Sequence, residues 1–120
     1  MEEAESLFVA GVVAAEQGDL SRAQSDQVRA LALLGRDAHG RPLAPASGES
    51  NQPRERRLAA RVLLSLAFSH HELGREAAAR GALDDAQHVS DPEADLDIGV
   101  VIYGQRGAML LREGRLRRQW

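Results

Sequence analysis

Three glycines, Gly18, Gly74 and Gly114, each follow an apolar helical pattern and share a register of small residues around them. Seven residues before them stand Gly11, Ala67 and Gly107, and four residues earlier again the larger Leu7, Leu63 and Tyr103. Five residues after the first two glycines come Ala23 and Ala79, and seven further on Ala30 and Ala86. In the third unit Gln119 stands where the alanine is expected. Only Gly or Ala lets the backbones of two antiparallel helices cross closely. A glycine just past a helix permits the left-handed conformation that ends it. The large residue then fills the space between one hairpin and the next. This register confines the chain to one class, all-α, built from antiparallel helix-turn-helix hairpins.

Apolar periodicity places the elements. Leu7, Phe8, Val12 and Val13, with Ala10, Ala14 and Ala15, predict a first helix over 4–16. Gln17-Gly18-Asp19-Leu20 breaks it, Ser21 is the expected cap of a second helix over 22–34, and Gly35 stops that helix. A third helix is expected over 54–71, with Leu58, Val62, Leu63, Leu66 and Phe68 in the core, and a fourth over 76–89 after the turn at Gly74. An acidic connection over 90–95 leads to a fifth helix over 96–112, a turn at Glu113-Gly114-Arg115, and a sixth helix beginning at Leu116. Residues 36–53 hold three of the four prolines and few large apolar side chains, the composition of a mobile loop.

These units resemble the tetratricopeptide repeat, a helix-turn-helix unit of about 34 residues with small residues at these offsets. The resemblance covers residues 4–37, 60–93 and 100–120, the last an incomplete unit. The family's aromatic positions are held by Leu7, Ala14 and Gln27 in the first unit and by Leu63, His70 and Leu83 in the second. Tyr103 alone keeps aromatic character, so the units are degenerate. The resemblance implies a single domain over 1–120, a short right-handed solenoid of five to six helices. More narrowly, Arg61-Val-Leu-Leu-Ser-Leu-Ala67 and the stretch 104–112 look like the helical-repeat leaders of actinobacterial proteins that carry a C-terminal, caspase-like CHAT protease domain. The chain has neither that domain nor a cysteine to serve it.

Composition removes several kinds of chemistry. All 15 basic residues are arginine, and there is no cysteine. Schiff-base and P-loop lysines, thiol nucleophiles, disulfides and thiolate metal sites are therefore excluded. A net charge of −3 gives no reason to expect nucleic-acid or anionic-membrane binding. The start Met1-Glu2-Glu3-Ala4-Glu5 has the wrong charge for a secretory signal, and no apolar run approaches a membrane span, so a cytoplasmic protein is expected. His70-His71-Glu72 lacks the four-residue histidine spacing of a zinc helix; adjacent histidines point about 100° apart. His70 is expected towards the hairpin contact and His71 towards an open groove. The acids Asp91, Glu93, Asp95 and Asp97 lack the turn glycine of a calcium loop, Pro92 intrudes, and a solvated linker results. Arg112, Arg115, Arg117 and Arg118 read as helix C-terminal cations. No serine sits in a nucleophile turn. No catalytic, cofactor or metal residues are assigned.

In a stack of such hairpins the first helix of each lines a concave face. By resemblance the groove is formed by Glu5, Phe8, Val12 and Ala15, then Arg61, Leu64, Phe68 and His71, then Val101, Gly104, Ala108 and Leu111. This mainly apolar lining lacks the lysine–asparagine clamp with which some family members hold a C-terminal carboxylate. The expected occupant is an extended or helical peptide; the alternative is that Phe8, Leu64 and Phe68 pack on a neighbouring helix. The expected function is a non-enzymatic protein-interaction module within a larger chain or complex. A regulatory domain of a CHAT-type protease or other enzyme, and a sensing domain of a transcription regulator, are the alternatives. An incomplete third unit leaves Leu110, Leu111, Leu116 and Trp120 to be buried by further residues or by self-association.

Overall fold

A computed structural model of the chain describes residues 1–43 and 52–118, without the side chains of 115–118. Expectations for the remainder of the 36–53 loop, for Trp120 and for the Leu116 side chain lie outside the described residues. Five helices follow one another: α1 (Glu2–Glu16), α2 (Leu20–Leu33), α3 (Pro53–Glu72), α4 (Glu76–Val89) and α5 (Leu96–Arg118). The fold is all-α, with no strand among the described residues beyond a single bridge between Arg36 and Pro42.

Local chemistry accounts for the helix ends. Gly18, Gly35 and Gly74 all take positive φ, at 82°, 72° and 77°. At each, the glycine N–H and the next N–H turn back to the helix. Asp19 donates to the Ala14 carbonyl at 2.9 Å, Arg36 to Leu31 at 2.9 Å, and Arg75 to His70 at 2.8 Å. This paired bonding closes the last open carbonyls. The cap of α2 is Asp19 rather than Ser21: its carboxylate accepts from the Arg22 N–H at 3.2 Å. Leaving the left-handed glycine, the chain presents Asp19 first to the open N–H groups, so the helix starts earlier. Pro53 opens α3, where its missing N–H costs nothing.

The turn expected at Gly114 does not form. The helix runs through it to Arg118, and no sixth helix is present among the described residues. A glycine inside a helix costs only about 1 kcal/mol, and a turn is stabilised chiefly by the helix that packs back after it. Gly18 and Gly74 have α2 and α4 for this purpose. Gly114 has no such helix among the described residues.

Helices α1 and α2 form one antiparallel hairpin and α3 and α4 a second, while α5 packs against α3 and α4. Both α1 and α2 also touch α3, and among the described residues neither packs on α5. Contacts thus pass only from each hairpin to the next. Within the hairpins the small-residue register sits at the helix crossings. Ala23, Ala30, Ala67, Ala79 and Ala86 are buried. A Cβ on Gly11 would stand 3.2 Å from Gln27 Cγ and 3.4 Å from the Ala23 carbonyl. Leu63, Leu83, Leu31 and Val62 fill the core between elements.

Two members of the pattern behave differently. Tyr103, expected as filler, is 83% exposed, and a Cβ on Gly107 would meet nothing within 4 Å, because among the described residues no helix crosses α5 there. Phe68, expected in the core, is 44% exposed. It follows the α4-facing Ala67 by one residue, about 100° around the helix, and so points away from α4.

The core also holds one polar knot. Gln27, wholly buried, donates from Nε2 to the Ser65 hydroxyl and accepts from Ser69 Oγ at 3.4 Å. Gln27 thus ties α2 to α3 through an amide satisfied by two serines.

Residues 36–43, expected to be mobile, instead form an internally bonded loop folded back on α3 and α4. The buried Arg36 donates from Nη1 to the Gly40 carbonyl at 2.7 Å. The Asp37 carboxylate accepts from the N–H groups of His39 at 2.9 Å and Arg41 at 3.0 Å, bonds that hold it below the usual carboxylate range, Arg41 contributing most. Gly40, at φ 77°, lies so close to Leu63 and Val89 that a Cβ would fall 2.7 Å from Leu63 Cδ1. The loop buries no large apolar side chain of its own, Leu43 being 66% exposed, but supplies a glycine that fits a core surface.

Ile98, Ile102 and Met109 bury one face of α5. Ion pairs flank that face. Arg57 spans Asp95 at 3.1 Å and both oxygens of Asp97, Arg106 reaches Asp84, and Arg80 reaches Glu113. The hydrogen bonds from Arg57 hold the Asp97 carboxyl down at about 2. A depressed carboxylate contributes stability above its unfolded value of 3.8, and that contribution is lost as pH falls from 3.8 through about 2. Acidification across this window is therefore expected to loosen the start of α5 before the two hairpins. Residue-level amide exchange measures this: Asp97→Asn should show the faster α5 exchange already at neutral pH and little further change down to pH 3. Equal protection of α5 in variant and parent at neutral pH contradicts it.

Candidate functional site

The helix period gathers two short stripes of side chains on one face of the stack. On α1, Phe8, Val12 and Ala15 recur at four- and three-residue spacing; on α3, Arg61, Leu64, Ser65 and Phe68 do the same. Because α1 and α3 pack side by side, the stripes face a common groove of about 350 Å³, with Glu16 at the α1 end and Gln105 reaching in from α5. Leu64 forms the buried floor and Phe68 one wall, still 44% exposed.

The Arg61 guanidinium lies over the Phe8 ring, 5.1 Å from its centroid. This geometry is attractive because the ring face carries negative quadrupole density. It also fixes the cation at the groove mouth, with no carboxylate in ion-pair range of Arg61 among the described residues. Beyond the Phe8–Arg61 pair the same face continues as a more polar depression of about 370 Å³ lined by Glu5, Arg54, Arg57 and Leu58 among others. Its other charges are engaged: Arg54 lies 3.9 Å from Glu5, and Arg57 holds Asp95 and Asp97. A larger open depression of about 640 Å³ lies between the start of α1 and the end of α2, edged by Glu2, Glu3 and Arg29. It has no aromatic wall, so burial there would gain less.

Of the groove residues expected from the sequence, Phe8, Val12, Arg61, Leu64 and Phe68 come together. Three do not. His71 turns to α4 and α5, with Nδ1 3.0 Å from Glu76 and Nε2 accepting from Arg112 at 3.3 Å. Val101 and Leu111 are exposed on α5 but do not line the groove; Gln105 does. Ala15 lines it, Glu5 lies in the neighbouring depression, and Gly104 and Ala108 are exposed on α5. Glu16, Ser65 and Gln105 were not foreseen. Ser65 could have been found, since it lies one turn from Arg61; the reach of Gln105 depends on the angle at which α5 docks, which no spacing encodes.

On the opposite face His70 Nδ1 lies 3.0 Å from Gln24 Nε2 on α2, between the two hairpins. Burial, assisted by nearby Arg75, pushes its pKa down. His39, exposed, pairs with Asp85 at 3.0 Å. No group of three His, Cys, Asp or Glu residues among the described residues is placed to hold a metal ion. No helix among them is long and apolar enough to cross a membrane. Compared with protein-family models, curated proteins and solved structures, the chain has no match, so the reading of the groove rests on its own geometry.

Proposed function

We propose that this chain is a protein-interaction module of tetratricopeptide-like design that holds an apolar peptide or partner helix in the groove between α1 and α3. The observation that carries this reading is the apolar groove whose partly exposed walls are Phe8, Val12 and Phe68 over a buried Leu64 floor, with one cation at its mouth. Helix-in-groove recognition uses such a surface, with apolar anchors one turn apart entering it. Arg61 gives the ligand a polarity, favouring an acidic side chain at the end that meets Phe8. The hairpin-to-hairpin order of packing supports the tetratricopeptide-like reading, since in a stack of repeats each unit contacts only its neighbours.

Random displayed peptides selected on the purified chain test the proposal. Enriched peptides should carry large apolar residues three or four apart and an acidic residue beside them. Phe68→Glu should weaken the best of them by roughly 30-fold or more, the scale of an interface hot spot. The helical circular dichroism should stay unchanged, because Phe68 supports no core contact that its exposure would not forgive. Arg61→Glu should remove the acidic preference. Selection of no peptides, or equal binding by Phe68→Glu, overturns the reading.

A further inference from the structure

Helix α5 is apolar on two opposite faces. Ile98, Ile102 and Met109 face the core, while Leu96, Val100, Tyr103, Leu110 and Leu111 are each 67% to 83% exposed on the far side. A helix apolar on both sides is made for two contacts. The exposed stripe centres on Gly107, which holds the same register position as Gly11 on α1 and Ala67 on α3. Those two residues mark where an antiparallel helix crosses closely in each hairpin. At Gly107 the crossing surface is present, and among the described residues no helix covers it: a Cβ there would meet nothing within 4 Å.

We infer that the occupant is α5 of a second copy of this chain, packed antiparallel across a two-fold axis at Gly107. Three observations select this occupant. About Gly107 two pairs match across a two-fold axis: Tyr103 and Val100 lie four and seven residues before it, Leu111 and Gly114 four and seven after, large against large and large against small. An antiparallel copy sets Tyr103 over the second copy's Leu111 and Val100 into the space left by its Gly114. Such self-complementarity is what a two-fold interface requires.

The charges agree. The approach to α5 is acidic over 91–97 and its last turns are rich in arginine, a residual polarity left after Arg56 and Arg57 engage Asp91, Asp95 and Asp97 and Glu76 engages Arg112. An antiparallel pair brings each acidic end to the other's basic end, as it does the helix dipoles; a parallel pair brings like ends together. The area is also sufficient. Five side chains exposing on the order of 100 Å² each offer roughly 500 Å² of apolar surface per copy, which with a polar rim approaches the ~800 Å² per partner of a standard interface. This surface is separate from the α1–α3 groove, so either reading can fail without the other.

Sedimentation equilibrium of the chain from micromolar to millimolar concentration tests the inference. The parent should pass from monomer to dimer. Gly107→Leu has room in the monomer and raises helix propensity, yet it forces the crossing backbones apart, so dimerisation should weaken at least ~10-fold. Because the chain has no cysteine, single cysteines report the geometry. Gly107→Cys should cross-link to its own copy on mild oxidation. Val100→Cys should not, since in an antiparallel pair the two thiols lie roughly 20 Å apart along the axis. A monomer at every concentration, which would leave the face to a helix from elsewhere, overturns the inference. So does a dimer indifferent to Gly107→Leu, one lost in Phe68→Glu instead, or cross-linking through Val100.

Discussion

Truncating Leu63 to alanine should lower unfolding free energy by about 3–5 kcal/mol, the upper range for a leucine deleted from a packed interior. Leu63 is wholly buried on α3, and Gly40 of the folded-back loop is seated against its Cδ1. The void left by its isobutyl group would be bounded by α-helical backbone and by a loop pinned through Arg36 and Asp37, so collapse to fill it is restricted. On a chain of this size the loss appears as a fall in Tm of roughly 10–20 °C. The comparison that makes this informative lies along the register. Leu7, partly buried, should cost about 1 kcal/mol on truncation. Tyr103, 83% exposed, should cost within about 0.5 kcal/mol at concentrations where the chain is monomeric. Three positions equivalent in sequence therefore have graded costs in the order in which a following helix covers them. Equal losses at Leu63 and Tyr103 in thermal melts would mean that a sixth helix forms after all.

The second large effect belongs to Gly40. Gly40→Ala combines a residue forced to φ 77° with a Cβ placed 2.7 Å from Leu63 Cδ1. The left-handed conformation alone costs a non-glycine residue about 1–2 kcal/mol, and crowding a packed surface adds about 1–3. A total of about 2–5 kcal/mol is expected. Gly18→Ala provides the control: its φ of 82° carries the conformational cost, but nothing lies within 4 Å of the added carbon. It should lose only about 1–2 kcal/mol. In a mobile loop the sign would reverse, because alanine restricts the unfolded chain and stabilises by about 0.4–1 kcal/mol. Denaturant melts of the two variants decide between a seated and a mobile loop.

Gly40 also shows why part of the fold was legible in the sequence and part was not. Helix existence follows from apolar period, and hairpin crossings from small residues at fixed offsets; Gly11, Ala23, Ala67 and Ala79 all announce themselves locally. Docking of a polar loop on a distant leucine has no periodic signal. Gly114 misled for a related reason. Its local sequence resembles Gly18 and Gly74, but the energy that makes those glycines turns comes from α2 and α4 packing back, a tertiary effect. The missed Asp19 cap, two residues from the expected Ser21, is a smaller matter of which oxygen reaches the open N–H groups first. At the candidate site, helical spacing placed Phe8, Val12, Arg61, Leu64 and Phe68 together because α1 and α3 are neighbours. It failed for His71, Val101 and Leu111, whose positions depend on the tilt of α5 and on the Glu76–His71–Arg112 contacts.

The proposed binding role rests on one surface, the groove between α1 and α3. The most direct test is an aromatic- and methyl-resolved NMR titration of the chain with a peptide selected on it. Signals from Phe8, Val12, Ala15, Leu64 and Phe68 should move together and saturate with the binding isotherm, while Val28 and Ala78 on the opposite face stay in place. Saturable shifts at Val28, Ala78 or Tyr103, with the Phe8 and Phe68 signals unmoved, would contradict the groove as the binding face.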